Sequence, residues 1–254
     1  MSNETKIALI TGGSRGLGRN AAVHLAHKGI DSIVTYHANR EAADETVAEI
    51  TAQGGKAVAL QLDTSDTSAF AGFVETLRTA LKDDWGRETI DFLVNNAGTG
   101  LHKPFAETTE TEFDALMNVH VKGVFFLTQA LLPLIEDGGR IVNISSGLAR
   151  FHLPGSSAYG TMKGAVETMT RYMAREFGPR QIAVNVIAPG AIETDFNGGM
   201  VRDNSEMNKM VASMTAMGRA GLPDDIGGAI SSLLSGENGW MTGQRIEVSG
   251  GMFV

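Results

Sequence analysis

The chain has 254 residues, no cysteine and a formal net charge of −8. The lack of cysteine excludes disulfide bonds, thiolate metal ligands and a cysteine nucleophile, and the acidic balance argues against a nucleic-acid partner. No basic segment followed by an apolar stretch opens the sequence, no apolar run approaches about 18 residues, and the six histidines show no metal-ligand spacing. We therefore expect a cytoplasmic protein with neither a membrane partner nor a metal site.

Short apolar segments alternate with amphipathic ones along the chain. Most of the apolar segments are continuous, as in strands that helices cover on both faces. The predicted strands are 6–11, 32–36, 57–62, 90–95, 140–145, 182–187 and 244–248, and the predicted helices lie near 16–28, 40–53, 67–83, 110–135, 156–178 and 223–235. This order predicts an α/β fold with a single doubly wound parallel sheet and helices on both faces, in one domain over residues 1–254.

The first predicted strand leads directly into a glycine-rich turn with the spacing Gly-x-x-x-Gly-x-Gly, formed by Gly12, Gly16 and Gly18. Glycines at such a turn let the backbone approach a pyrophosphate, which then lies at the N-terminus of the following helix. The same glycines could form a turn and nothing more, so a second signal is needed.

The second signal is the pair Tyr159 and Lys163, which a spacing of four residues places on one face of a helix. An ammonium group stabilises a tyrosinate, so we expect Lys163 to lower the pKa of Tyr159 towards neutral pH. Ser146 lies upstream at the end of a predicted strand, where α/β sheets place groups that face a ligand.

The glycine turn, Ser146 and the Tyr159–Lys163 pair occur with three further motifs, Asn95-Asn96-Ala97-Gly98, Asn118 and Pro189-Gly190. In this order and spacing the chain resembles the short-chain dehydrogenase/reductase family over most of its length, in particular its 3-oxoacyl-carrier-protein reductase-like members. The resemblance implies a Rossmann-type sheet of seven strands and an NADPH-dependent reductase that transfers hydride to the carbonyl of a small molecule. The alternatives are an NAD-dependent alcohol or sugar dehydrogenase and a non-catalytic NADP-binding protein.

The resemblance also implies roles for four catalytic residues. Tyr159 would donate a proton to the carbonyl oxygen, Ser146 would hydrogen-bond that oxygen, and Lys163 would hold the nicotinamide ribose. Asn118 would fix a helix kink and a water molecule. Two O–H donors suit the negative charge that develops on the oxygen during hydride transfer. From the residues alone, Ser146 could instead cap the backbone, and Asn118 could be an amide inside a helix that bonds to the backbone.

The resemblance assigns cofactor contacts to residues that follow the predicted strands. They are Gly12, Ser14, Arg15, Gly16, Leu17, Gly18, Tyr36, His37, Asn39, Asp63, Asn96, Ala97, Gly98, Tyr159, Lys163, Pro189, Gly190, Ile192 and Thr194. Asn95 is expected to brace the sheet, and Asp63 could be a plain loop carboxylate rather than an adenine contact.

The choice of cofactor follows from charge. NAD-specific folds usually have a carboxylate at the end of the second strand, which bonds the ribose 2′-hydroxyl. Here no acidic residue occurs from Thr35 to Arg40, and the next residue, Glu41, is the first; Arg15 supplies a positive charge for a 2′-phosphate. His37 stands where NADP-using relatives often have arginine. The sequence therefore favours NADP(H) over NAD(H).

The residues that would bind the substrate are less clearly marked in the sequence. A lid is expected at about 192–221, where Met207, Met210, Met214 and Met217 would share one helical face. An amphipathic helix that packs on the domain would have the same pattern. Four more side chains are expected near the pocket, namely His102, Phe151, His152 and Phe196.

Two predicted helices, 110–135 and 156–178, have apolar residues all round and so require burial on a second face. Pairing them across a two-fold axis, with a second interface near 223–254 that the resemblance implies, predicts a homotetramer. The alternative is that other parts of the same chain cover both faces.

Overall fold

A computed structural model describes residues 5–254 and contains one sheet of seven parallel strands. The strands are β1 Ile7–Ile10, β2 Asp31–Tyr36, β3 Ala57–Gln61, β4 Ile90–Asn95, β5 Ile135–Ile144, β6 Ala183–Pro189 and β7 Arg245–Val248. Their order across the sheet is β3-β2-β1-β4-β5-β6-β7, so successive strands are added first on one side of β1 and then on the other. This order confirms the predicted doubly wound, Rossmann-type sheet.

Helices cover both faces of the sheet. They are α1 Gly16–Ala26, α2 Arg40–Ala52, α3 Phe70–Trp85, α4 Glu110–Met117, α5 Val124–Leu131, α6 Ser157–Phe177, α7 Met200–Asp203, α8 Ser205–Ser213 and α9 Pro223–Ser235. Ile7 and Leu9 of β1 belong to a core shared with α3, α5 and α6, whereas Ala8 and Ile10 belong to a core shared with α1 and α9. The strand segments are continuously apolar because both of their faces are buried.

β5 begins at Ile135, earlier than the predicted start at residue 140. Ile90 of β4 pairs with Ile135, but Phe92 pairs with Arg140, so four residues of β5 stand opposite a single residue of β4, Asp91. The bulge has the sequence Glu-Asp-Gly-Gly, and Gly138 within it has a φ of +79°. A polar, glycine-containing segment does not resemble a strand in the sequence, which explains the difference.

The predicted helix 110–135 is interrupted. Its first part, α4, begins at a capping box in which Thr109 Oγ1 accepts a hydrogen bond from Glu112 N and the Glu112 carboxylate accepts one from Thr109 N. A π-helical segment, Asn118–Gly123, then separates α4 from α5. Such segments change which residues face a neighbouring helix, and they occur frequently at functional sites.

Within the described part of the chain, the helical run Glu110–Leu134 has the length and mean hydropathy, 1.3, that would allow it to cross a membrane. Leu127 and Leu131 of this run are nevertheless buried in the core beside the sheet, and Thr128 is a buried polar residue that bonds to β4. We therefore interpret the run as a core helix, whose apolar character serves packing against the sheet.

The second faces of α5 and α6 differ from each other. On α6, Arg171, Tyr172 and Arg175 are exposed, so the expectation of an apolar surface all round this helix is wrong. On α5, Phe125 and Phe126 are 47% and 42% exposed, and their rings contact each other. Of these two helices, α5 is therefore the one with a pair of contacting, partly exposed aromatic rings.

The four methionines of the expected lid do not share one helical face. α8 ends at Ser213, so Met214 and Met217 lie beyond it. Met217 N donates to Gly250 O, and its side chain is exposed. The buried residue of α8 is Val211. The helix therefore packs on the protein through Val211, and the methionines remain partly or largely exposed.

Candidate active site

Three of the predicted catalytic residues, Ser146, Tyr159 and Lys163, meet at the carboxyl edge of the sheet. Ser146 lies two residues beyond β5, and Tyr159 lies in the first turn of α6, where the Ser146 side chain is near enough to affect its pKa. Ser146 Oγ also accepts a hydrogen bond from Leu148 N at 3.2 Å. Ser146 therefore caps the backbone, and its hydroxyl hydrogen remains available to a second partner, because a hydroxyl can donate one hydrogen bond while it accepts another.

Lys163 lies one turn after Tyr159 on α6 and is buried. Its Nζ donates to Ile144 O at 2.8 Å and lies 5.5 Å from the centre of the Tyr159 ring. Burial lowers the pKa of Lys163 to about 7. Burial also raises the pKa of Tyr159 above its ordinary value, and the hydrogen bond with Ser146 only partly offsets this effect. The expectation that Lys163 brings the pKa of Tyr159 towards neutral pH is therefore wrong for the protein by itself, because desolvation of the phenolate dominates.

The helix break expected at Asn118 is confirmed, since the π-helical segment starts there. The side chain of this segment that contacts the tyrosine is His120, whose ring centre lies 5.4 Å from that of Tyr159. The sequence analysis missed His120, because a lone histidine in an apolar helical pattern carries no functional signal. The irregular turn that brings it to face α6 is visible only in the structure.

The glycine turn has the shape that a pyrophosphate requires. Gly12 has a φ of +64°, and a Cβ added to it would lie 2.9 Å from the Ala97 Cα, so the turn admits no side chain there. α1 begins at Gly16, and its first turn contains no acidic residue. A helix N-terminus whose own first turn has no acidic side chain suits an anion. The turn therefore fits the pyrophosphate of a dinucleotide.

The two asparagines after β4 hold this edge together. Asn95 Nδ2 donates to Thr128 Oγ1 and to Asn143 Oδ1, so Asn95 braces the sheet as predicted. Asn96 Nδ2 donates to Thr11 O at 2.9 Å and to Gly12 O at 3.1 Å. Asn96 thus shapes the glycine turn, because its amide binds the backbone carbonyls there.

Arg15, which is expected to favour NADP(H) over NAD(H), forms an ion pair with Asp195. Its Nη1 lies 2.7 Å from Asp195 Oδ2. His37 Nε2 lies 3.4 Å from Asp63 Oδ2. Burial raises the pKa of Asp63, but the stronger combined effect of its hydrogen bonds with Ser65 and the charge of His37 holds the pKa below its ordinary value. Charged groups therefore line both sides of the end of β2.

Several predicted cofactor residues have structural partners of their own. The Asn39 amide oxygen accepts a hydrogen bond from Ala42 N and caps α2. Tyr36 is buried at the end of β2, and Leu17 packs against the core on the α1 side. Ser14 O accepts a bond from Thr46 Oγ1. Their contacts with a cofactor stay a prediction, and the Asn39 amide oxygen is already engaged as a cap.

The segment that follows β6 starts at Gly190, where a Cβ would lie 2.9 Å from Ser249 Cα. Ile192 forms a β-bridge with Gly221, which closes the base of the expected lid. Thr194 is buried, and its Oγ1 accepts a hydrogen bond from Phe196 N at 3.2 Å. This segment passes from the carboxyl end of β6, at Pro189, towards Asp195 and the glycine turn.

One aromatic side chain of the expected pocket lies beside Tyr159. The ring centre of Phe196 lies 6.0 Å from that of Tyr159, and Phe151 packs on Phe253 at 4.9 Å. Two histidines expected near the pocket, His102 and His152, are exposed. Among the residues that the structure describes, no group of acidic residues and histidines could hold a metal ion.

The comparisons with known proteins agree with this geometry. A family profile described as enoyl-(acyl carrier protein) reductase matches residues 12–253. The hydroxynaphthalene reductase-like protein Arp2 of Metarhizium brunneum is 35% identical over 97% of this chain and 94% of its own length. This chain belongs to the short-chain dehydrogenase/reductase family. It is therefore an oxidoreductase that uses a nicotinamide cofactor and acts on alcohol or carbonyl groups.

Two solved structures of this family are similar over their whole lengths. The promiscuous reductase LugOII, which catalyses keto-reduction at C1 during lugdunomycin biosynthesis, superposes with a TM-score of 0.94 and 39% identity, covering 100% of both chains. The angucycline C-6 ketoreductase LanV, solved with bound NADP, superposes with a TM-score of 0.93 and 35% identity, covering 99% of this chain and 97% of LanV. Both of these short-chain dehydrogenase/reductase proteins are keto-reductases.

Proposed function

We propose that this short-chain dehydrogenase/reductase is an NADPH-dependent ketone reductase in which Tyr159 donates the proton. The observation that carries the proposal is that Tyr159, Ser146 and the buried Lys163 lie together at the sheet edge that also forms the glycine turn. When bound, the cofactor supplies hydride. Burial keeps the pKa of Tyr159 high, so Tyr159 stays protonated at neutral pH and can donate Oη–H to the carbonyl oxygen.

Ser146 and Lys163 complete this arrangement. The Ser146 hydroxyl orients the tyrosine and supplies a second O–H group for the oxygen that gains negative charge. The Lys163 ammonium, held by Ile144 O, stabilises the tyrosinate that remains after proton donation. Lys163 would also hold the ribose of the cofactor, as the family resemblance implies.

The preference for NADP(H) is supported by the charges at the end of β2 and by the NADP bound in LanV. Arg15 lies at the glycine turn with its side chain 74% exposed, which leaves its guanidinium accessible to a 2′-phosphate. No acidic residue at the end of β2 competes for a ribose 2′-hydroxyl, since the first one is Glu41.

The substrate that we propose is a ketone on or beside a fused aromatic ring. Phe196 offers an aromatic ring near Tyr159, and aromatic rings favour offset or edge-on contacts with other rings. The relatives named for their substrates, a hydroxynaphthalene reductase-like protein and an angucycline ketoreductase, support the same class.

The decisive experiment follows NADPH oxidation with 1-tetralone, a simple aliphatic ketone, a 3-oxoacyl thioester and an enoyl thioester. We expect 1-tetralone to be reduced with the highest kcat/KM. In Tyr159→Phe, kcat should fall by at least ~10²-fold with little change in NADPH affinity, because the ring stays and only the transferable proton is lost. Tyr172→Phe, an exposed change on the same helix, is the matched control. Wild-type turnover by Tyr159→Phe would refute the role of Tyr159, and reduction of the enoyl thioester alone would refute ketone reduction.

We also propose that the chain assembles as a homotetramer through the helices at 110–135 and 156–178. The support is the open apolar surface of α5, formed by Phe125 and Phe126. Exposed aromatic clusters of this kind are typical of protein interfaces.

A further inference from the structure

His120 is the one ionisable side chain of the π-helical segment that is buried, with 1% of its surface exposed. Its Nε2 lies 2.7 Å from Thr99 O. A carbonyl oxygen can only accept, so Nε2 carries the hydrogen and donates it. The contact with Thr99 N, at 3.4 Å, is too long to compete with this bond. In the neutral ring, the hydrogen is therefore on Nε2 and Nδ1 is unprotonated.

Nδ1 is buried and has no hydrogen-bond partner among the described residues. Burying a polar atom without a partner costs about 1–3 kcal/mol, and native proteins leave few such atoms. A Cβ added to Gly98 would lie 2.8 Å from His120 Cε1, so the ring is confined from that side and cannot turn away freely. Nδ1 is thus an acceptor in a fixed position that can accept one further hydrogen bond.

The titratable groups around His120 are the two catalytic residues of α6, Tyr159 and Lys163. The rings of His120 and Tyr159 meet edge to face, at 88°. The titratable groups that face His120 are Tyr159 and Lys163, both from α6. Lys163 has three N–H donors, and Ile144 O accepts one of them. Burial, with the charge of Lys163, lowers the pKa of His120 to about 3, so the imidazole stays neutral at neutral pH.

We propose that His120 is a positioning residue for proton donation by Tyr159. Its ring holds the Tyr159 ring by the edge contact, and its bare Nδ1 accepts a hydrogen bond from a hydroxyl donor that the Lys163 ammonium also contacts. That donor is a water molecule or a hydroxyl of the bound cofactor. Through it, His120 fixes Lys163 and Tyr159 relative to each other. This inference rests on the proposed ketone reduction.

Two substitutions separate the two ring nitrogens. His120→Asn keeps an acceptor near the position of Nδ1 but loses the bond to Thr99 O, whereas His120→Gln keeps a donor near Nε2 but has nothing at Nδ1. We expect kcat of His120→Asn to stay within about 3-fold of the wild type and kcat of His120→Gln to fall at least ~10-fold, the value of one hydrogen bond near 1.4 kcal/mol. KM and the Kd of NADPH should change little in both variants.

The opposite order of the two variants, or equal kcat values, would overturn the proposal, since the Thr99 contact or general packing would then explain any loss. Thermal unfolding of both variants accompanies the kinetics. If either variant does not fold, ¹H–¹⁵N NMR of the wild-type imidazole decides, because a protonated Nδ1 at neutral pH excludes an acceptor role.

The same spectra distinguish the source of the donor and the failure of the proposed function. A hydrogen-bonded Nδ1 in the protein without cofactor identifies water, and a change only on adding NADPH identifies a cofactor hydroxyl. An unprotonated Nδ1 that forms no hydrogen bond in either state overturns the proposal. If the wild type reduces no ketone, the proposed function fails. The NMR spectra still report the protonation and hydrogen bonding of Nδ1, so this failure is distinguishable from failure of the inference about His120.

Discussion

The Arg15–Asp195 ion pair makes the choice of cofactor testable. A 2′-phosphate on NADPH would compete with Asp195 for the Arg15 guanidinium, which lies 2.7 Å from the Asp195 carboxylate. Arg15→Ala removes the group for which both compete. Asp195→Asn removes the competitor and leaves the arginine in place. The two changes should therefore have opposite effects on NADPH affinity.

The magnitude follows from the exposure of the pair. A charge-assisted hydrogen bond to a phosphate contributes about 1.5–3 kcal/mol, whereas an ion pair whose arginine is 74% exposed contributes about 0.2–1 kcal/mol. The net loss in Arg15→Ala is therefore about 0.5–2.8 kcal/mol, or roughly 2- to 100-fold in the Kd of NADPH. Asp195→Asn should tighten NADPH binding by up to ~5-fold. NADH, which lacks the phosphate, should bind all variants with similar affinity.

The assay is calorimetric titration of both cofactors into the wild type, the two single variants and the double variant. In the Arg15→Ala background, Asp195→Asn should have a smaller effect, because the competition no longer exists. Equal losses for NADPH and NADH in Arg15→Ala would refute the reasoning. The arginine would then act through the geometry of the glycine turn rather than through charge.

Three further predictions concern buried charge and assembly. The pKa of Lys163 in the folded protein is lowered to about 7, so the unfolded chain binds this proton more tightly. The free energy of unfolding should therefore rise as the pH rises from about 7 to about 10.5. Lys163→Met should abolish this rise in urea-unfolding measurements. The pKa of His120 is lowered to about 3, so stability should fall by about 1.5 kcal/mol as the pH falls from 6.5 to about 5, a window above the range in which most carboxylates titrate. His120→Gln should remove that loss, and an unchanged pH profile would contradict the burial of a neutral imidazole. Phe125→Glu, on the exposed face of α5, should convert a tetramer of 26.9 kDa subunits into smaller species in sedimentation; an unchanged mass would exclude this interface.

Much of the fold was predictable because its signals are local. Continuous apolar segments such as that of β1 mark strands buried on both faces, and the glycine turn and the Tyr159–Lys163 spacing lie within a few residues of sequence. The bulge that opens β5 was not predictable, since its polar residues are accommodated only by pairing with β4. The same holds for α8, where the methionine spacing predicted a longer helix than the chain forms.

The sequence by itself determined the parallel sheet, the family resemblance and the catalytic pair, because periodicity, glycine positions and a four-residue spacing are properties of neighbouring residues. Only the tertiary structure decided the pKa of Tyr159 and the position of His120 beside it. Burial, not Lys163, dominates the pKa of Tyr159, and a π-helical turn brings His120 against the Tyr159 ring. Desolvation and contacts between distant segments depend on how the whole chain packs, so no local pattern of residues encodes them.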